Sequence, residues 1–434
     1  MHPRYSIVVP TCDRAELLKH TLRGLLAIPR QDLQLVVSDN ASVDETPNVI
    51  EAVREDPRVV SVLASQRMPM PSHWDFAFSK ATGEFVIVNG DDDGISPNLF
   101  KILDTVIATH NPKIISWDVG LYHHPDYYAE AAPNSLRYLA GHSGLALTID
   151  PGRLVEQYAR LDFAFFPEGT RVCMRRDLAE EIVRKTGRLY WPPYPDFSTS
   201  LMCLLLCAPG DYVYLDMLLG FGGRSANSNG GSFVRGGRNE RVHSFFNEFS
   251  DEDPYPFHEP KLPFLYNGHA AALSVAKHFF PEKVESVTQD RYFLFKSFYE
   301  ELAGVRYNPL INEDIGKRLD DYLKCADREL QDVAGLAKID ATDRPRGGMQ
   351  WISSLRKFMP FGKVIKKAIL RSAFPEQTPV VQYMSYVLGA EHAFYNGFDL
   401  MQSFDSTVAR DDPFTLKTVE RALQKNLLIC ACRI

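Results

Sequence analysis

Within the first 110 residues, four short runs rich in β-branched residues, "YSIVVPT", "LQLVVSDN", "RVVSVLAS" and "EFVIVNGD", alternate with longer segments of helical periodicity. Strands separated by helices cannot pair as tight hairpins; their crossovers lay them side by side and parallel. The pattern predicts an α/β fold with a mostly parallel sheet flanked by helices. In "RAELLKHTLRGLLAI" Leu18, Leu22, Leu25 and Leu26 share a face, with Asp13 the expected N-cap and Glu16 three residues on. "TPNVIEAVRED" is expected to start at a Thr46 cap with Pro47 in its first turn, and "SPNLFKILDTVIATH" at a Ser96 cap followed by Pro97.

Beyond residue 110 "KIISWDVG", "TRVCMRRD" and "DYVYLDMLL" have the character of strands, and "DFSTSLMCLLLCA" that of a helix between the last two. A first domain therefore extends to about residue 225. Residues 222–241, rich in Gly and Arg and without apolar periodicity, predict a flexible loop, and 226–340 form that loop plus a helical extension. Residues 341–434 form a C-terminal region whose segment 344–374 carries eight Lys or Arg and no acid, interleaved with Trp351, Phe358 and Ile365. Such an element lies on an anionic membrane surface or docks on the protein's own acidic face, and the sequence supports both readings equally.

A chain of 434 residues with a net charge of -7 builds two or three folding units and offers no overall basic surface, which argues against nucleic acid as a partner. The seven cysteines show no CxxC pair or disulfide ladder, and "MHPRYSIVVPT" enters a strand at once. With no run of the roughly 18 apolar residues a membrane span needs, the expected location is the cytoplasm, at the inner face of the plasma membrane where the membrane reading of 344–374 holds.

The chemistry concentrates where strands end. "EFVIVNGDDDGISPNLF" sets Asp91, Asp92 and Asp93 side by side after a buried strand. Adjacent carboxylates disfavour one another's ionisation unless they share a positive partner, for which a divalent metal is the usual candidate. An EF-hand is excluded: Phe100 stands where its bidentate Glu belongs, and a strand precedes the loop. A solvated Asp-rich turn is the plainer alternative. A second acidic strand end, "VVSDNASVDET", offers Asp39 and Asn40 with Asp44 in the next turn, at the edge where open α/β sheets bind ligands. Asp39 is placed to accept hydrogen bonds from a nucleobase or ribose, whereas Asp44 has the ordinary character of a turn or cap residue.

In order and spacing, "SIVVPTCDR", "VVSDNASVDET" and "FVIVNGDDDGISPNLF" resemble the family 2 glycosyltransferases of the GT-A fold over about residues 4–110. The resemblance implies a nucleotide-sugar half at 1–110, an acceptor side at 111–225, and donor binding by Pro10, Thr11, Asp13, Asp39, Asn40 and Asp44. The aspartate cluster corresponds to the family's DXD element, so Asp91 and Asp92 face the donor, and Asp91, Asp92 and Asp93 are the ligand candidates for Mn2+ or Mg2+. One departure stands out: counting back from Pro97, the first DXD acid belongs at position 90, which is Gly. The family's base heads a helix in the second half of the domain. Asp196 in "YWPPYPDFSTSLMCLL" occupies such a place, where Asp also serves as a simple cap. Trp191 and Tyr194 are candidates to stack on an acceptor sugar, with packing as the alternative. Arg224, Arg235 and Arg238 either fold over the donor phosphates or belong to an ordinary surface loop. His243 and His258 are the histidines to test as an extra metal ligand.

The implied activity is inverting transfer of a sugar from a nucleotide-diphosphate donor to a hydroxyl on a glycan or lipid-linked acceptor, in bacterial surface polysaccharide synthesis. A catalytically lapsed nucleotide-sugar-binding or scaffold protein is the competing reading, with Gly90 as its support. A glycosidase would not need the nucleotide-binding half, and a nucleotidyltransferase would need a glycine-rich phosphate loop after the first strand.

Overall fold

The computed structural model describes residues 2–127, 134–139, 142–226, 228, 245–249, 252–303, 309–342, 383–387 and 428–433. Segment 344–374, Arg235, Arg238 and His243 lie outside the described residues. Strands β1 (Tyr5–Thr11), β2 (Leu33–Asp39), β3 (Val59–Leu63) and β4 (Phe85–Val88) pair in parallel in the order β3-β2-β1-β4. Beyond β4 the sheet is mixed. Strand β9 (Val172–Arg175) runs antiparallel to both β4 and β6 (Ile114–His123), and β6 then pairs in parallel with β10 (Tyr212–Arg224). The two-residue β5 (Gly94–Ile95) pairs with β10, β7 (Ser135–Leu139) with β6, and β8 (Leu145–Ile149) with β10. Two further strands, β11 (Tyr383–Val387) and β12 (Leu428–Arg433), pair antiparallel with β7 and β8.

Because successive strand side chains face opposite sides, the continuous apolar runs feed two cores. Ile7, Val9, Leu35, Val37, Phe85 and Ile87 point to one face, covered by α1 (Ala15–Leu26) and α4 (Leu99–His110). Val8, Val36, Val86 and Val88 point to the other, covered by α3 (Met70–Phe78), α5 (Pro151–Ala159), α6 (Arg176–Thr186) and α7 (Pro195–Leu206). The short α2 (Thr46–Glu51) lies between β2 and β3. Helix α8 (Leu265–Phe279) joins this second core through Ala272, Leu273, Val275 and Ala276, and α9 (Pro281–Val284) follows it. Three helices, α10 (Arg291–Ala303), α11 (Pro309–Cys325) and α12 (Arg328–Thr342), form a separate apolar cluster around Phe298, Leu319 and Ala337. Among the described residues no helix is long and apolar enough to cross a membrane.

Three local expectations are corrected. Asp13 has φ 52° and does not cap α1; the first free N–H, that of Ala15, instead donates to Asp44 Oδ2 at 3.0 Å, from 29 residues away. The short helix α2 has Glu45 rather than Thr46 at its N-cap position, because Thr46 is itself the first helical residue. Helix α4 starts at Leu99 with Asn98 at its N-cap position, because Ser96 is spent on the turn before it, its Oγ accepting from Asn98 N at 3.3 Å and its O from Leu99 N at 3.0 Å.

Candidate active site

The parallel register puts Thr11 directly opposite Asp39, and Val8 opposite Val88, so three adjacent strands release their carboxyl-end loops at one edge of the sheet. A hydrogen bond from Thr11 Oγ1 to Asp91 Oδ2, 2.7 Å and buried, ties the first loop to the acidic turn. Pro10 lies opposite Ser38 in the same register. Asp39 is 1% exposed; its Oδ1 accepts from Ser42 N at 3.0 Å, while its Oδ2 is buried with no hydrogen-bond partner among the described residues. A buried carboxylate oxygen without a donor is costly, and a ligand's hydroxyl or N–H relieves that cost.

The neighbouring polar residues are occupied in shaping these loops. Asn40 exchanges two bonds with the Met68 backbone, Nδ2 donating at 2.8 Å and Oδ1 accepting at 3.0 Å. Asp13 accepts from Val43 N at 2.7 Å and from Arg67 at 2.8 Å. Asp44 also accepts from Thr46 N at 3.0 Å, so a single carboxylate holds the starts of α1 and α2.

The positive partner that the acidic turn requires is Arg14. Its Nη1 lies 2.8 Å from Asp91 Oδ1, and its Nη2 lies 2.5 Å from Asp92 Oδ2 and donates to Ser225 Oγ at 2.9 Å. Asp93 turns the other way, accepting from Gly223 N at 2.8 Å and from Gly90 N at 3.2 Å. Thr21 Oγ1 fixes the turn's backbone through Asp91 O at 2.8 Å. The end of β10, expected as loop, continues as strand through Gly222, Gly223 and Arg224 beside β6. A Cβ on Gly223 would stand 2.1 Å from Asp92 O, so only glycine lets the strand approach this closely.

Burial raises the proton affinity of Asp91 against the lowering effect of Arg14, and burial together with the Asp92 carboxylate raises that of Asp93. Three carboxylates against one guanidinium leave an excess of negative charge. These oxygen ligands fit a hard divalent cation, and Asp91 and Asp92 are the two that already converge on a positive group.

Asp196 stands in the first turn of α7, next to the N-cap Tyr194, and lines a small cavity with Trp74, Gly169, Met174, Tyr190 and Thr199. Burial, reinforced by the nearby Glu168 carboxylate, pushes its pKa up to about 7, with backbone N–H groups at the helix start and Arg171 acting in the lowering direction. Such a carboxyl exchanges a proton near neutral pH. A segment that sequence reasoning did not single out, Pro167–Arg171, joins the two acidic centres. Gly169, at φ +61°, lies so close to Asp196 that a Cβ would be 3.2 Å from its Oδ2, and the Thr170 side chain hydrogen-bonds Asp93. Glu168 is paired with Arg171. The signal available in the sequence was the "PEGTR" turn immediately before the β9 run.

Other candidates fall elsewhere. The Trp191 ring packs on Phe279 at 4.9 Å, and its Nε1 donates to Thr186 Oγ1 at 3.3 Å. Tyr194 is buried against Phe197 and Phe245, and a Cβ on Gly268 would stand 1.9 Å from its ring. Arg224 ends β10 on the side of Glu168. His258 has both ring nitrogens occupied, by Ser274 Oγ and Asn267 Oδ1, each at 2.9 Å. Among the described residues a different cluster has the spacing of metal ligands: Asp118, His142 and Asp216, with ligand atoms within 4.8 Å of one another. His142 Nε2 lies 3.2 Å from Asp118 Oδ2, and Asp216 Oδ2 accepts from Ser143 N at 2.8 Å, so the three also form a satisfied polar group without an ion.

Comparison with known proteins matches residues 6–151 to the family model of "Glycosyl transferase family 2". A GalNAc(5)-diNAcBac-PP-undecaprenol beta-1,3-glucosyltransferase of Campylobacter jejuni is 29% identical over 93 residues, 21% of this chain and 30% of that protein. The poly(ribitol-phosphate) beta-N-acetylglucosaminyltransferase TarS of Staphylococcus aureus is 26% identical over 115 residues, 26% of this chain and 20% of that protein. The chain thus spans less than a third of the length of either relative. The crystal structure of S. aureus TarS 1-349 in complex with UDP-GlcNAc aligns with a TM-score of 0.44 at 15% identity, covering 78% of this chain and 89% of that one. Residues 6–151, which carry the three strand-end loops on one sheet edge, are thus the part of the chain that is similar to glycosyl transferase family 2.

Proposed function

We propose that the chain is an inverting glycosyltransferase that moves a sugar from a nucleoside-diphosphate donor to a hydroxyl on a glycan or lipid-linked acceptor, in the assembly of a bacterial surface polysaccharide. The carrying observation is the row Asp39–Thr11–Asp91. Strand register and one 2.7 Å hydrogen bond align a buried, unpartnered carboxylate oxygen with the acidic turn. Asp39 Oδ2 accepts from the nucleoside, and the loop of Pro10, Thr11 and Asp13 lies beside it. Asp91 and Asp92, with Asp93 bracing the turn, would hold Mn2+ or Mg2+, which would supply neutralisation of charge on the nucleoside diphosphate. Asp196 in its carboxylate form takes the proton of the acceptor hydroxyl as that oxygen bonds to the anomeric carbon. The anomeric carbon's bond to the phosphate oxygen breaks on the opposite face, with inversion. Burial, reinforced by Glu168, raises the proton affinity of Asp196 and matches the base to neutral pH.

The relatives' names, a transferase on a PP-undecaprenol-linked glycan and one on poly(ribitol-phosphate), motivate the acceptor class. Contact of 344–374 with an anionic membrane belongs to the same proposal, and its deletion should release the protein from anionic liposomes. The central test is release of UDP or GDP from a panel of nucleotide sugars with Mn2+, comparing wild type with Asp196→Asn. Turnover lost in Asp196→Asn with nucleotide binding retained supports the reading. Metal-dependent nucleotide binding with no turnover by wild type on any donor or acceptor would favour the lapsed scaffold.

A further inference from the structure

The acidic turn already holds a cation of its own. Arg14 engages one oxygen of Asp91 and one of Asp92, and no other residue of the chain forms an ion pair with either carboxylate among the described residues. Its main chain is anchored at the start of α1, where Arg14 N donates to Thr46 Oγ1 at 3.4 Å, so only the side chain is free to move. The guanidinium is incompletely satisfied: Nε is buried and has no hydrogen-bond partner among the described residues. Nη2 reaches past Asp92 to Ser225, the residue directly after β10. A planar fork that lacks one partner, beside a carboxylate pair, is suited to an incoming phosphate oxygen.

We propose that Arg14 is the internal counter-ion of the ligand-free site, that it and a divalent cation compete for the Asp91 and Asp92 oxygens, and that the guanidinium so released pairs with the donor's diphosphate. The proposal rests on the transferase reading of the same site. Two positive groups cannot share these oxygens without repulsion, so metal binding to the bare protein is opposed by Arg14. When a nucleoside diphosphate is present, the displaced guanidinium gains phosphate oxygens and the opposition becomes cooperation. Metal and nucleotide then bind tightly only together.

The test is calorimetric titration of the full chain with Mn2+ alone, and with UDP in the presence of Mn2+, for wild type, Arg14→Gln and Arg14→Lys. Arg14→Gln should bind Mn2+ alone at least about tenfold more tightly than wild type, and should bind UDP with Mn2+ at least about tenfold more weakly; Arg14→Lys, charged but without the fork, should lie between. Mn2+ affinity without nucleotide that is unchanged or weakened in both variants would overturn the proposal, as would failure of every form to bind Mn2+. Thermal unfolding of Arg14→Lys guards against a merely misfolded variant. Sugar transfer, measured separately in EDTA, separates the two readings. Transfer that persists in EDTA sinks the competition and leaves the transferase intact. The expected Mn2+ pattern without transfer on any donor upholds the competition and sinks the transferase.

Discussion

The acidic turn and Asp196 are both buried carboxylate centres next to the same Pro167–Arg171 loop, yet the protein surrounds them with different partners. At the turn, Arg14, Thr11, Gly223 N and Gly90 N supply donors to the carboxylates, which offset part of the rise in proton affinity that burial brings to Asp91 and Asp93. At Asp196 burial is joined by another acid, Glu168, and the proton affinity rises until charge is optional at neutral pH. The first arrangement suits binding a cation and an anion, and the second suits carrying a proton. The difference comes from where a cation sits: Arg14 contacts the turn directly, whereas Arg171 is committed to Glu168.

The contrast breaks most decisively at Asp196. Removing a general base typically costs between two and four orders of magnitude in rate. Asp196→Asn should lower sugar transfer by about 10^3-fold and leave UDP affinity in Mn2+ within about twofold, as read by initial rates and calorimetry. Loss of nucleotide affinity in parallel with rate would mean that the two centres are not functionally distinct.

Stability separates them next, with opposite signs. Asp91→Asn leaves a buried guanidinium short of one carboxylate and should cost about 3 kcal/mol in urea unfolding. Asp196→Asn should instead stabilise the protein at pH 8 by about 2 kcal/mol, because it removes a carboxylate forced into a poorly solvated place. The folded state holds the Asp196 proton to about pH 7, against the ordinary aspartate value of 3.8. Folded protein therefore binds more protons than unfolded protein across that window, and stability falls as pH rises through it. The advantage of the Asn variant should shrink as pH falls and be gone below about pH 3, where both states are protonated. An advantage independent of pH would assign it to packing instead.

What the sequence made legible follows the same division. The four parallel strands, the acidic turn and the Asp39 strand end were readable because strand periodicity and strand-end acids are local patterns. The partner of the acids was not, since Arg14 lies 77 residues from Asp91 in a chain segment read only as the start of a helix. Nor was the exchange of capping roles between Asp13 and Asp44, which depends on a positive φ that no local pattern revealed. The glycines of 222–223 suggested a loop because glycine weakens a strand; here close approach to Asp92 requires it. The Glu168–Thr170 bridge was invisible for a similar reason: its meaning lies in two distant acids, Asp93, 77 residues from Thr170, and Asp196, 27 residues from Gly169.

A smaller effect tunes rather than breaks the contrast. If Glu168 sets the proton affinity of Asp196, the rate of transfer should rise with pH through about 7 in wild type, as the base loses its proton. In Glu168→Gln the like charge is gone and the carboxylate form is favoured, so the midpoint should move down by about one pH unit. A profile unmoved in Glu168→Gln would leave burial alone as the cause.

The smallest effect concerns Gly90, the departure from the family pattern. A Cβ there would stand 2.7 Å from Asp93 Oδ2, so the glycine is the space into which the Asp93 carboxylate folds back to accept from Gly90 N. Gly90→Ala must turn Asp93 aside and strain its 2.8 Å bond from Gly223 N, at a cost of about 1 kcal/mol. In an Asp93→Asn background, where the charge that orders this contact is already gone, the same substitution should cost appreciably less, and the double-mutant cycle reads the difference as coupling. A cost identical in both backgrounds would show that position 90 needs glycine for its backbone alone. It would then say nothing about how the turn aims its third carboxylate away from Arg14.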